Sequence, residues 1–395
     1  MRRSSTSMMR LCRSLRFPSK MKAREQINPL RLREAREARG LSLLELGAKL
    51  DISRQALSMF ENGKKSPSSE TLLAIAKSLS VPTSYLLSEV SRPDLSGVTH
   101  FRKLEAATKR DRAKYAVRER WIADLLATLR CHLDLPKVNV PDFNVTDFDR
   151  LTNDDIEDLA DATRRTWGLG SGPISNVTML FENNGIVVAR IPLSANVDAF
   201  SCWQGELPIV IIGSKLPFVR GRFDCGHELG HLILHKAVTQ EHLADKDTFR
   251  LIEQQAHLFG AALLVPRASL AKELYSISID ALLELKRRWG VSMQALLYRA
   301  HKLELISYNQ YQYAFRQISA AGYRRIEPLD REIPVERPTM LSRAIHLVTD
   351  NGILKSDEFC ELLSLFPEDL AEISGVTADF FTRKDVVVPL TLKFG

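Results

Sequence analysis

A chain of 395 residues is too long for one ordinary domain and implies two or three of roughly 150 residues each. Its 45% apolar and 26% charged residues, with 19 Gly and 17 Pro, exclude collagen-like, disulfide-scaffold and mostly disordered chains. The formal charge of +7 is unevenly spread: residues 1–120 hold 26 Lys+Arg against 12 Asp+Glu, residues 121–395 hold 29 against 36, so a basic front suited to a polyanion precedes an acidic body.

No apolar run approaches the roughly 18 residues that span a bilayer, which speaks against a membrane partner. The five cysteines are scattered and never form a C-x-x-C pair, as expected of a reducing, cytoplasmic compartment. Residues 1–22 are Arg- and Ser-rich and acid-free; they read as a disordered basic extension.

Residues 23–90 read as an all-α unit. Ile27 to Arg39 is helical in pattern and Gly40 stops it. Ser42 and Glu45 have capping-box spacing and open a second helix to about Leu50. Asp51-Ile52 makes a tight turn, because Asp tolerates a left-handed backbone. Ser53 caps a third helix, Arg54 to Glu61, and Asn62-Gly63 ends it. Pro67 begins a fourth, with Leu72, Leu73, Ile75, Ala76 and Leu79 as its apolar stripe. Leu46, Leu50, Ile52, Leu57 and Phe60 are spaced to share one small core. Two short helices about a tight turn, the second with a polar face, suit the DNA major groove.

GLSLLELGAKLDISRQALSMFENGKKSP resembles the Cro/repressor-type (XRE) helix-turn-helix domain over about 60 residues, including Glu61, Gly63, Lys64 and Pro67. The resemblance implies that Arg54, Gln55 and Ser58 face base edges of double-stranded DNA while Lys64 and Lys65 contact phosphates. It departs at Leu43, where Gln is frequent, at Gly47, a small Ala-type position, and at Asp51, where Gly is usual.

Residues 91–166 read as a helical linker. One long helix is expected over Phe101 to Leu135, basic in its first half and apolar in its second, ended by Pro136. An acidic stretch follows from Asp142 through Asp161. The basic half could be a solvated face, a phosphate strap or a dock for that acidic stretch.

Residues 167–310 carry the chemistry. Strands are expected at Gly185–Ile191, Val197–Trp203 and Leu207–Gly213, the last two joined by a hairpin at Gln204-Gly205. The segment His227-Glu228-Leu229-Gly230-His231 follows. On a helix, residues four apart leave the same face one turn apart, so both imidazoles can bind one zinc ion. Glu228 lies beside them, where it can act as the catalytic base. Phe249 to Pro266 reads as an apolar helix interrupted by Glu253, a carboxylate that needs a partner if buried and is the candidate third ligand. A solvent-facing Glu253 stays open, because Gln254 and Gln255 adjoin it. His257, one turn on, is a candidate to orient a ligand imidazole; His235 is either a further ligand or a helix-edge residue.

RFDCGHELGHLILH followed by EQQAHLFGAALLVP resembles the ImmA/IrrE family of zinc metallopeptidase-like proteins, over roughly residues 165–310. The resemblance implies an α+β zincin-like fold, metal ligands at His227, His231 and Glu253, and a catalytic glutamate at Glu228. Fusion to a helix-turn-helix recurs in that family, whose members are implicated in cleaving or disabling transcriptional repressors. Gly226 stands where Ala is usual and His257 where Asn is common.

Residues 311–395, with helical patterns at Met340–Val348 and Phe359–Leu370, read as a mostly helical C-terminal region without a motif. The expected molecule is multidomain: a DNA-binding regulator with a zinc-dependent endopeptidase acting on a regulatory protein, repressor- or toxin-like. The alternative is the same regulator with a metallopeptidase-like domain that binds or senses its partner without proteolysis. Oligomeric state stays open, a homodimer among the options.

Overall fold

The computed structural model describes residues 26–89 and 108–382, so the basic extension and the start of the helix expected from Phe101 lie outside the described residues. The chain divides into two compact units, and the second interrupts the first in sequence. Of the described residues, the first takes 26–89, Lys109–Asp134 and 341–382; the second takes Thr108 and Leu135–Met340.

In the first unit, α1 spans Pro29–Ala38, α2 Leu43–Leu50, α3 Arg54–Glu61, α4 Ser69–Leu79 and α5 Thr83–Leu87. Local chemistry sets each boundary. Ser42 and Glu45 close a reciprocal capping box on α2, and Ser53 caps α3 through the Ala56 amide. Between them Asp51 takes a left-handed backbone, φ 55°. Gly47 is small of necessity: a Cβ there would stand 2.5 Å from the Ile52 carbonyl oxygen. Leu46, Leu57 and Phe60 are buried, while Leu50 and Ile52 are half-buried. The fourth helix starts later than Pro67 suggests, because Ser68 supplies its cap. Leu73 is exposed rather than part of the stripe, since it sits one position off the 72/75/76/79 face.

The long helix α6 runs Lys109–Arg130. Among its basic residues, Arg120 pairs with Glu34 at 2.9 Å and Arg118 with Glu372 at 2.9 Å, both within this unit. Glu372 belongs to the C-terminal helices α16 (Met340–Asp350), α17 (Glu358–Leu363), α18 (Pro367–Ser374) and α19 (Ala378–Thr382). The helix expected over Phe359–Leu370 is therefore two, parted where Ser364 turns left-handed and Pro367 opens α18.

The second unit holds α7 (Asn153–Thr166), α8 (Val177–Asn183), β1 (Val187–Ile191), β2 (Ala199–Gln204), β3 (Leu207–Gly213), α9 (Phe218–Leu234), α10 (Gln240–Ala244), α11 (Lys246–Leu264), α12 (Arg267–Glu273), α13 (Ile279–Trp289), α14 (Met293–Lys302) and α15 (Tyr308–Ala320). It reaches past 167–310 at both ends. A buried Arg299–Glu157 pair, 2.8 and 2.9 Å, ties α14 to α7. Buried Lys286 meets Glu327 and Asp330 at 2.8 and 2.5 Å. The acidic stretch also pairs within this unit, Asp142 with Lys236 and Asp154 with Arg267.

The sheet order is β1-β3-β2, with β1 parallel and β2 antiparallel to β3. Every residue of β3 is buried. Pro208 is tolerated there because β1 pairs only from Ile209 onward, so no ladder bond loses a donor. α9 packs on β2 and β3, and α11 packs on α9 and α7. Phe181, Val188, Val210, Leu229, Phe259 and Trp289 belong to the core these layers enclose.

Candidate functional site

On α9, His227 and His231 lie four residues apart and both are buried. Their Nε2 atoms stand 3.0 Å from one another. Glu253 reaches this pair from α11, its carboxylate oxygens 3.3 Å from His231 Nε2 and 3.6 Å from His227 Nε2. Among the described residues these three form the one group of His, Cys, Asp and Glu side chains converging as metal ligands do. Burial alone would raise the Glu253 pKa, but the two imidazoles hold it well below the usual carboxylate range.

Small residues make that convergence possible. Where α9 crosses α11, a Cβ on Gly230 would lie 3.0 Å from Ala256 Cα, and one on Gly226 3.2 Å from Gly260 Cα. Added to Gly260, a Cβ would come within 2.6 Å of the His227 backbone nitrogen. The two backbones touch, and a carboxylate one turn before Ala256 thereby spans the gap to the imidazoles. Gly226, set against the Ala usual in the resembling family, fits this crossing.

Glu228 is buried next to the pair, and its Oε2 accepts a 2.7 Å hydrogen bond from Ser201 Oγ on β2. Trp203, two residues on and on the same face of β2, donates Nε1 to the Leu232 carbonyl at 3.2 Å. These bonds fix the strand against the helix that carries the histidines.

His235 caps α9 and is wholly buried. Its Nδ1 meets His231 Nδ1 at 3.1 Å, and its Nε2 meets Gln255 Oε1 at 2.9 Å. Burial, with His231 beside it, pushes the His235 pKa down to about 3, so the ring is neutral. The imidazole contact that the sequence suggested for His257 is thus made by His235. His257 itself is exposed, its ring 4.7 Å from Phe223 and 6.3 Å from His227 between centroids. Ser201 and Gln255 were not foreseen. Gln254 is exposed but Gln255 is buried, in helical phase with Ile252, Ala256 and Phe259. Arg222 is buried and bonded to Glu336 and the Ile174 carbonyl, facing the core rather than the candidate ligands.

In the first unit, Arg54 and Gln55 are exposed on the first turn of α3, and Lys64 and Lys65 are exposed just past its end. Ser58, one turn on, is half-buried, its Oγ accepting from Asn62 Nδ2 at 3.3 Å. Arg54, Gln55 and the two lysines are therefore all open to solvent. Among the described residues no helix is long and apolar enough to cross a membrane.

Comparison with known families agrees with both halves of this geometry. Residues 32–86 match the family model described as helix-turn-helix, a class that binds double-stranded DNA, and residues 181–301 match the IrrE N-terminal-like domain of the M78 peptidases. No curated protein matches the chain.

Proposed function

Given a chain that joins a helix-turn-helix domain to an IrrE N-terminal-like peptidase domain, we propose that it is a DNA-binding transcriptional regulator that cleaves a regulatory protein, repressor- or toxin-like, by zinc-dependent hydrolysis in the cytoplasm. The observation that carries the reading is the convergence of His227, His231 and Glu253 beside Glu228. Two imidazoles and one carboxylate are the ligand set of hydrolytic zinc sites. Donors on a tetrahedral zinc, each ~2.0–2.1 Å from the ion, lie roughly 3.3 Å apart; the contacts here are 3.0, 3.3 and 3.6 Å.

His227, His231 and Glu253 would hold the ion, which when bound lowers the pKa of a water toward about 7 and polarises the scissile carbonyl. Glu228 takes the proton of the attacking water and returns it to the leaving amine. Ser201 holds Glu228 Oε2, so the carboxylate does not swing between rotamers. β3 is the central strand and has no open edge, so strand addition by a substrate falls to β2. Asp198 accepts from the Gly213 amide, so by antiparallel alternation the backbone groups of Ala199, Ser201 and Trp203 point to the outer edge. An extended substrate segment adds there by strand pairing. His257 and exposed Arg220 are the side chains suited to receive the developing oxyanion.

On the other unit, Arg54 and Gln55 read base edges, Ser58 adds a hydroxyl contact, and Lys64 and Lys65 bind phosphates. As a homodimer, two copies of α3 would meet half-sites one helical turn apart.

The test incubates zinc-loaded wild-type protein and Glu228→Ala with a library of proteome-derived peptides and reads new termini by mass spectrometry. Wild type is expected to generate new termini that the variant loses at equal zinc content. Identical termini from both would remove Glu228 as the base; none from either would favour a partner-binding domain without proteolysis.

A further inference from the structure

The two helices that hold the candidate ligands also carry a ring each, one turn away. On α9, Phe223 lies four residues before His227; on α11, His257 lies four residues after Glu253. Residues four apart share a helix face, so both rings line the crossing beside the ligands. They meet at 4.7 Å between centroids, and the His257 ring stands 6.3 Å from that of His227. A third ring arrives from α14: Tyr298 meets His257 edge-on at 6.1 Å. The row starts beside a candidate ligand and leads away from it across three helices.

The row is open to solvent. Phe223 is half-buried and packed against the core, His257 is exposed, and Tyr298 is 41% exposed. Tyr298 lies off the apolar face of its own helix, where Met293, Leu296, Leu297 and Ala300 are buried, so its ring adds little to the core. Two kinds of side chain bind such a surface: a further ring, edge-on or offset, or a cation over a ring face. Lys302, one turn beyond Tyr298, decides between them. Its Nζ lies 5.5 Å from the Tyr298 ring centroid, so that ring already holds a cation, whose charge repels a second.

We infer that Phe223, His257 and Tyr298 form the subsite for one substrate side chain beside the cleaved bond, and that the side chain it takes is aromatic. The subsite rests on the peptidase reading above. Side chains of an extended segment alternate between two faces, so only one of the two residues flanking the bond enters the row, and its neighbour points away. A subsite contact discriminates between side chains by about 10- to 200-fold in kcat/KM, and the lower end belongs to a row open to solvent.

The zinc-loaded full chain, Tyr298→Ala and Tyr298→Phe are each incubated with proteome-derived peptides, and the residues on both sides of every new terminus are counted. Wild type is expected to favour Phe, Tyr or Trp over Ala by about 10-fold at one flanking position. Tyr298→Ala is expected to lose that preference while still cleaving, and Tyr298→Phe, which keeps the ring, to retain it. An unchanged preference in Tyr298→Ala, an equal loss of cleavage on all peptides, or selection of basic or acidic residues at that position would overturn the subsite. Binding supplies a second readout. Zinc-loaded Glu228→Ala is titrated with the capped peptide Ac-Ala-Ala-Phe-Ala-Ala-NH2 and with its all-alanine counterpart, while NMR follows the Tyr298 and His257 ring signals. Ring shifts with the Phe peptide alone are expected; an equal response to both peptides, or none to either, would overturn the subsite. Should wild type release no new termini, the peptidase reading falls and the titration alone decides whether the row selects an aromatic side chain.

Discussion

At the scale of single residues, what matters is which atoms each side chain can offer. Glu228, His227 and His231 were legible because a helix turns a spacing of four into a shared face, and Glu253 because an isolated carboxylate in an apolar helix needs a reason. Ser201 and Gln255 were not, since their roles depend on β2 and the Phe148 turn arriving from far along the chain. In the helix-turn-helix unit, Gln55 and Lys64 are both exposed but differ in what such side chains can read on a duplex. Gln can form a bidentate pair with adenine, whereas Lys meets any phosphate as a point charge. Binding to a randomised duplex library should therefore separate them. Gln55→Ala is expected to relax preference at one base position by about 1–3 kcal/mol, and Lys64→Ala to weaken all sequences alike and reduce the salt slope by about one. The opposite assignment, uniform loss for Gln55→Ala, would contradict the orientation of α3.

Among elements, the crossing of α9 and α11 decides whether a candidate site exists at all. Helix existence was readable from caps and periodicity: the capping box at Ser42, the Ser53 cap and the left-handed Asp51 all occur as expected. Crossing distance was not, because it depends on three glycines and an alanine from two separate helices facing one another. Gly260→Ala tests this. Its Cβ would press on the His227 backbone nitrogen at 2.6 Å, an atom of the helix itself that cannot rotate aside. Overpacking of this kind costs roughly 1–3 kcal/mol, a drop in Tm of roughly 2–12 °C. Calorimetry should show that drop together with weaker zinc binding. An unchanged Tm would mean the helices stand farther apart than described. The hairpin also changed meaning at this scale. Its strands were readable from β-branched runs, but only the parallel pairing of β1 moves β3 to the centre and leaves β2 at the edge.

For the whole molecule, the charge split and the two family resemblances announced two kinds of unit, but not that the last stretch of chain returns to the first. That return rests on long-range ion pairs with no periodic signature. Asp369 accepts from both terminal nitrogens of Arg39 at 2.6 Å, and it lies 3.7 Å from Arg118, which also pairs with Glu372. Arg39 in turn holds the Leu79 and Ser80 carbonyls at the end of α4. Removing one partner of a buried pair strands the other charge, at a cost of about 3–5 kcal/mol. Asp369→Ala should accordingly lower the denaturant midpoint of the helix-turn-helix unit and weaken its DNA binding, while zinc content stays at the wild-type level. Unaltered stability would assign residues 341–382 some other part in the molecule.

The central claim, one ion held by two imidazoles and a carboxylate, is most directly tested by X-ray absorption at the zinc edge on the metal-loaded chain. The account predicts one zinc per chain with only nitrogen and oxygen neighbours at about 2.0–2.1 Å and two imidazole scattering patterns, one of which disappears in His231→Ala. Sulfur neighbours, three or more imidazoles, or the absence of stoichiometric zinc would contradict it.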